Sequence, residues 1–249
     1  METLVIQSYR SHNVAPWIET CLASVKSWSN LHNYAYRFVG EEIFDRVPDW
    51  YRGKTRAHPQ IATDLGRLEL IREALDEGYR RVAWLDADVL IFAPTGLTLD
   101  HIDSYSFGRE FWVQSNQRGE LKLFRNTHNA LCVFCPGNPF LDFYRHACLN
   151  IIERMDVGPD GSMVPQIVGP KLLNALQNMM GLPVMESIGM ASPLVITDIA
   201  AGGGPALNMM LDAMDDPVCG LNLCASMSPA EVDQACDRLL GTPAIMKPS

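Results

Sequence analysis

The stretch "IATDLGRLELIREALDEGYRRVAWLDADVLIF" (Ile61–Phe92) decides the architecture of the chain. Its first part places Ile61, Leu65, Leu68, Ile71 and Leu75 at the spacing of one helix face, and Gly78 follows as a C-terminal stop. After the shortest of connections, "RVAWLD" (Arg81–Asp86) reads as a strand. Asp86 and Asp88 then interrupt an apolar run that otherwise belongs in a core. Burying a carboxylate costs several kcal/mol unless it is paired or coordinates a metal.

Upstream, "TLVIQS" (Thr3–Ser8) is a short β-rich run, and "PWIETCLASVKSW" (Pro16–Trp28) has helical spacing with Pro16 suited to a first turn. "YAYRFVG" (Tyr34–Gly40) reads as a second strand. This β-α-β-α-β order predicts an α/β domain with a mostly parallel central sheet and helices on both faces. Downstream, "FWVQS", "ALCVFC", "PVMESI" and "PLVITD" read as strands, and "NPFLDFYRHACLNIIERM" and "GPKLLNALQNMM" as helices. "AAGGGPALN" is a glycine loop opening a helix whose amides could hold phosphate. "SPAEVDQACDRLLG" predicts a last helix, capped by Ser228 with Glu231 closing a capping box. Without repeats, low-complexity tracts or a linker, one domain over residues 1–249 is expected.

In an open α/β sheet, ligands bind beyond the carboxyl ends of the strands. Asp86 falls at such an end and Asp88 just past it. Two carboxylates one residue apart can share a divalent cation, and Mg²⁺ and Mn²⁺ are commonly held by one or two carboxylates together with substrate phosphates. The plain alternative is that Asp86 ends the strand while Asp88 faces solvent in a turn. The apolar "VAWL" before and "VLIF" after are more than such a turn needs.

Composition narrows the function class. The 249 residues are 47% hydrophobic and 20% charged, with a net charge of −9 and a pI near 5.1. Nucleic-acid binders need a basic face, and no block of Lys or Arg exists here, so no nucleic-acid partner is expected. An acidic chain can still take a phosphate-bearing small molecule through a divalent cation. The N-terminal residues show no basic region ahead of an apolar run, and no stretch approaches the ~20 apolar residues of a membrane span. A cytoplasmic location with no integral membrane segment is the expectation. The seven cysteines (21, 132, 135, 148, 219, 224, 236) then read as reduced, with Cys132 and Cys135 of "CVFC" as apolar filling rather than a zinc site.

The helix-plus-strand stretch from Thr63 to Phe92 resembles GT-A glycosyltransferases, especially the group containing initiation-type mannosyltransferases and capsular polysaccharide synthesis proteins. Asp64, Arg67 and Leu70 match the helix positions of that group's pattern, and Asp86 and Asp88 its D-x-D metal motif. "THNALCVFCPGNPFL" (Thr127–Leu141) and "IVGPKLLNAL" (Ile167–Leu176) match later elements, with Asn138 where His is usual. "VIQSY" and "YAYRF" echo earlier ones, so the resemblance runs from about residue 4 to 180. The helix-to-strand link departs from it, with one glycine, Gly78, where the group usually has two.

The resemblance implies a Rossmann-like GT-A fold, residues 1–93 forming a nucleotide-binding half and residues 94–249 an acceptor side. It implies a Mn²⁺- or Mg²⁺-dependent, retaining transfer of a sugar from a UDP- or GDP-sugar to a hydroxyl acceptor such as a glycan, in polysaccharide biosynthesis. Asp88 would ligate the metal, with Asp86 beside it on the metal, a metal-bound water or the ribose. Gln7 and Tyr9 would lie near base or ribose, Asp64 and Arg67 would reach the sugar nucleotide, and Asn129 would contact donor sugar or acceptor. No His follows His146, so a third ligand must come from elsewhere, and Asp198, at the end of "PLVITD", is the best-placed late carboxylate. Two rival readings stand beside this one. The first is a sugar-nucleotide- or carbohydrate-binding protein without catalysis. The second is a phosphatase or phosphotransferase using the D-x-D pair, although that chemistry normally places its motif near the N-terminus.

Overall fold

The computed structural model describes residues 2–158, 162–223, 227–242 and 246. The elements run β1 (Thr3–Ser8), α1 (Pro16–Leu31), β2 (Ala35–Val39), α2 (Asp49–Lys54), α3 (Pro59–Asp76), β3 (Arg81–Leu85), β4 (Val89–Ile91), β5 (Tyr105–Ser115), β6 (Leu121–Phe134), α4 (Pro139–Arg154), α5 (Pro170–Met180), β7 (Val184–Ala191), α6 (Pro193–Ala201), α7 (Pro205–Leu211), β8 (Gly220–Asn222) and α8 (Pro229–Gly241). All eight strands join one sheet in the order β2-β1-β3-β6-β5-β7-β8-β4. The pairs β1/β2, β1/β3, β5/β7 and β7/β8 are parallel, and β3/β6, β5/β6 and β4/β8 antiparallel. β6 and β4 therefore run against the other six strands, and the sheet is mostly parallel in direction, as the β-α-β rhythm predicts.

Strand alternation sorts the core. Leu4, Ile6, Val82, Trp84, Cys132 and Phe134 pack on the side covered by α3, α4 and α5. Their neighbours Val5, Ala83, Leu85, Leu131 and Val133 pack with Val25 and Trp28 of α1 on the other face. This is the period-two consequence of the pleat. α3 buries more than one stripe, including Asp64, Arg67 and Glu69 as well as its apolar face, and it ends just before Gly78 at φ 98°.

The sheet curls. β3 and β4 sit at the third and last places of the strand order, yet only Asp86, Ala87 and Asp88 separate them in sequence. The amide of Asp86 donates to Ala130 O at 2.9 Å, extending the β3–β6 ladder, while the carbonyl of Asp88 accepts from Leu223 N at 2.9 Å beside β8. The two aspartates thus link interior strand β3 to β4, the last strand of the same sheet.

Two local expectations change, at "PLVITD" and at Ser228. "PLVITD" is not a strand but the start of helix α6, with Ser192 at the N-cap and Pro193 in the first turn. Its Val195, Ile196, Ile199 and Ala200 are buried on one helical face, so tertiary burial overrides the β-branched propensity. "FWVQS" and "ALCVFC" fall in strands as expected, within a long hairpin, β5–β6, whose register shifts between Phe107 and Gly108. Ser228 does not close a capping box: its hydroxyl donates to Glu231 Oε2 at 2.6 Å and makes no side-chain cap bond to the backbone. The six described cysteines form no disulfide and are buried, Cys132 within β6 and Cys135 just past its end, and Cys224 lies outside the described residues. Among the described residues no single helix is long and apolar enough to cross a membrane.

Candidate functional site

The carboxyl ends of β1, β2 and β3 open into a cleft of about 540 Å³, the size range of small-ligand sites. Ser8 ends β1 with Tyr9 and Arg10 after it, and Gly40, Glu41 and Phe44 follow β2. Gln60, Thr63 and Arg67 come from α3, and Trp84, Asp86 and Asp88 from β3 and its turn. The three strands are mutually parallel around β1, which puts their ends on one side of the molecule, as the doubly wound topology requires.

Arg67 organises the floor. Its guanidinium pairs with Asp64 Oδ1 and with Asp86 Oδ1, each at 3.2 Å. It also donates to the carbonyl of Asn129 and lies over the Trp84 ring, 5.1 Å from the centroid. Burial pulls this guanidinium toward deprotonation, but Asp86 and Asp64 more than offset it, so its pKa is held above the ordinary value. Asp86 Oδ1 additionally accepts from Trp84 Nε1 at 2.6 Å. The Asp86 side chain keeps 27% of its surface exposed toward the cleft, against 6% for Arg67.

Beneath the cleft the same network continues. Asn129 Nδ2 donates to Asp64 Oδ1 at 2.7 Å. Asn129 opens the segment 129–131 that the β5–β6 register shift leaves over between the pairs Gly108↔His128 and Phe107↔Cys132. Burial pushes Asp64 up to about 6, against the counter-pull of Arg67 and the Asn129 amide. A Cβ on Gly169 would stand 2.9 Å from Asp64 Oδ2, so the "IVGP" loop closes over Asp64 only because that residue is glycine.

The sequence-predicted residues therefore divide. Tyr9, Arg67, Asp86 and Asp88 line the cleft, with Arg10 stacked over the Tyr9 ring at 5.4 Å. Asp64 and Asn129 are buried behind Arg67 and touch it rather than the cleft. Gln7 is wholly buried, its amide donating to Asp86 O at 3.1 Å and accepting from Tyr36 at 3.1 Å. It holds the aspartate turn and does not face the cleft. Asp198 is not at a strand end: within α6 its Oδ2 accepts from the amides of Ala206 and Leu207 at 2.7 and 3.0 Å. Those are the first amides of α7, so the glycine loop's donors are met by the chain's own carboxylate and not left for phosphate. Glu186 accepts from Asp215 N at 2.9 Å and lies beside Arg109.

Sequence reasoning missed Gln60, Thr63, Glu41 and Trp84 as site residues. Thr63 and Gln60 stand one and two turns before Arg67 on α3, a signal that was readable. Glu41 lies on a loop whose course no periodicity reveals. Asn222, whose Nδ2 donates to Asp88 Oδ1 at 2.6 Å, is 134 residues from its partner and carried no signal.

Among the described residues no three His, Cys, Asp or Glu side chains converge as a metal cage. A hard cation shared with a substrate diphosphate needs only one or two carboxylates. The donor set suits that case: Asp88 lines the cleft, and Asp86 Oδ2 makes no hydrogen bond among the described residues while Oδ1 takes the indole and guanidinium.

No family model matches the sequence, and no curated protein matches it. Among solved structures, a glycosyltransferase involved in the glycosylation of the major capsid of PBCV-1 aligns with a TM-score of 0.48 and 11% identity, over 94% of this chain and 98% of that one. So distant a likeness transfers no chemistry, and the function is read from the residues of the cleft.

Proposed function

We propose that the chain is a GT-A-type, metal-dependent glycosyltransferase that moves a sugar from a nucleoside-diphosphate donor to a hydroxyl acceptor with retention of anomeric configuration. The observation that carries the reading is the convergence of Asp86, Asp88 and Arg67 in one cleft at the carboxyl ends of three parallel strands. The ordered resemblance of the sequence to that group supports it. Asp88 and the outer oxygen of Asp86 would hold Mn²⁺ or Mg²⁺. Such a cation supplies Lewis-acid neutralisation of the departing diphosphate. Arg67 adds fixed positive charge at the cleft floor and orients the Asp86 carboxylate. Tyr9 offers an aromatic face for a base, and Ser8 and Glu41 offer polar groups to ribose hydroxyls at the same end of the cleft.

Retention needs no side-chain base when the leaving phosphate oxygen takes the acceptor proton. Asp198 and Glu186 hold backbone amides outside the cleft. Glu41 is the one cleft carboxylate besides Asp86 and Asp88 among the described residues. Inversion would require a base and would point to it. NMR coupling constants of the product, compared with the donor, decide between these outcomes.

The test of the whole reading is a panel of UDP- and GDP-sugars assayed for Mn²⁺-dependent hydrolysis and transfer. Turnover by the unaltered chain and its loss in Asp88→Ala, with circular dichroism unchanged, is the expected result. Wild-type-like turnover in Asp88→Ala would sink the metal assignment. Metal-dependent donor binding without any turnover would leave a sugar-nucleotide-binding protein instead.

A further inference from the structure

The geometry points to Asn222 as the positioning residue of Asp88, an inference that rests on reading Asp88 as a cation ligand. Asn222 is 3% exposed and does not line the cleft. It pairs with Val89 in the β4–β8 ladder, so its side chain arrives beside Asp88 from β8, next to the β4 edge of the curled sheet. There its Nδ2 donates to Asp88 Oδ1 at 2.6 Å, and the next residue, Leu223, donates its amide to Asp88 O at 2.9 Å. Backbone and side chain of Asp88 are thus both gripped by one strand.

Chemistry explains why an amide suits the place. A carboxylate oxygen accepts and a carboxamide NH₂ only donates, so the contact fixes the Asp88 rotamer. Asn222 brings no charge of its own and so does not neutralise the carboxylate it holds. Asp86, for its part, pairs with the buried guanidinium of Arg67. Each aspartate is therefore held by a side chain from a different element, Asp86 from α3 and Asp88 from β8. Outer partners of this kind orient metal ligands, and their removal typically weakens metal binding about 10–100-fold.

The experiment titrates Mn²⁺ by electron paramagnetic resonance, with UDP or GDP present, against the unaltered chain and Asp88→Asn, Asn222→Asp and Asn222→Ala. Asp88→Asn should lose the binding. Asn222→Asp keeps the shape but sets a carboxylate against Asp88, and Asn222→Ala removes the donor. Both should bind Mn²⁺ about 10–100-fold more weakly while remaining folded by circular dichroism. If Asn222 were itself a ligand, Asn222→Asp would bind Mn²⁺ as tightly as the unaltered chain or more so, and that result overturns the positioning role. A purely structural residue would lower the Tm of Asn222→Ala and leave the Mn²⁺ affinity of the folded protein unchanged, which overturns it equally. Unchanged affinity in Asp88→Asn, or no Mn²⁺ binding by the unaltered chain, removes the cation-ligand reading and the inference together.

Discussion

Arg67 is the residue on which the largest local energies meet, because two carboxylates, a carbonyl and an indole ring all depend on it. Removing one partner of a buried ion pair costs about 3–5 kcal/mol, since the other charge stays buried and uncompensated. Arg67→Ala should lose stability of that order in urea unfolding, and a change below about 1 kcal/mol, the worth of an exposed pair, would contradict its burial. Asp64 gives a second residue-scale prediction. Burial lifts its pKa from 3.8 to about 6, so between those values the folded chain holds a proton that the unfolded chain has released. Its contribution to stability is therefore greatest at low pH and is lost as pH rises through that window. His128 acts in the opposite sense, with burial lowering its pKa from 6.5 to about 4, so its contribution is lost as pH falls. Asp64→Asn removes only the first effect. The stability of Asp64→Asn relative to the unaltered chain should rise by roughly 2 kcal/mol from pH 4 to pH 7, measured by urea unfolding at unit pH steps. A difference constant across that range would refute the shift.

At the scale of elements, α6 and α7 form a corner held by Asp198. A Cβ on Gly204 would stand 2.2 Å from the Asp198 carboxylate carbon, so the carboxylate reaches the α7 amides only over a glycine. Asp198→Ala should cost about 0.5–2 kcal/mol, as loss of a helix cap does, and leave Mn²⁺ affinity unchanged. A fall in that affinity would restore Asp198 as a third ligand. The same corner shows what could be read in advance. "PLVITD" has the composition of a strand, and only its burial against Trp17, Leu221 and α8 makes it helical, which is information from distant segments. α3 and β3, by contrast, are written locally: an apolar period, a terminal glycine and a strand ending in two aspartates. Asp86, Asp88 and Arg67 were legible for that reason. The burial of Gln7, Asp64 and Asn129 behind the cleft was not, because it depends on a register shift in β6 and a loop closing at Gly169. Asn138 has a local role: its side chain accepts from Phe140 N and caps α4.

Across the whole molecule, the turn Asp86–Asp88 is the covalent seam of a curled sheet. One side of the seam is tied to β6 by the Asp86 amide and to α3 by Arg67, and the other to β8 through Asp88 and Val89. β4 and β8 contribute only three residues each, and β4 is an edge. Short strands with few ladder bonds open at a lower free-energy cost than a central strand, so the seam is the weak closure of an otherwise continuous sheet. A ligand that engages both aspartates would tie the β3–β6 side of the seam to its β4–β8 side, and anything binding only the closed state stabilises it by mass action. Amide hydrogen exchange should therefore slow at Val89 and Leu223, whose amides donate to Asp86 O and Asp88 O, when Mn²⁺ and the accepted nucleoside diphosphate are added together. The far tip of the β5–β6 hairpin, where Asn116 N donates to Glu120 O, should exchange at the same rate with and without them. Slowing that is uniform across the chain would mean global stabilisation without a seam. Slowing confined to the β1 and β2 ends would mean that the nucleotide binds without engaging Asp88, and the two aspartates would then have to be assigned separate roles.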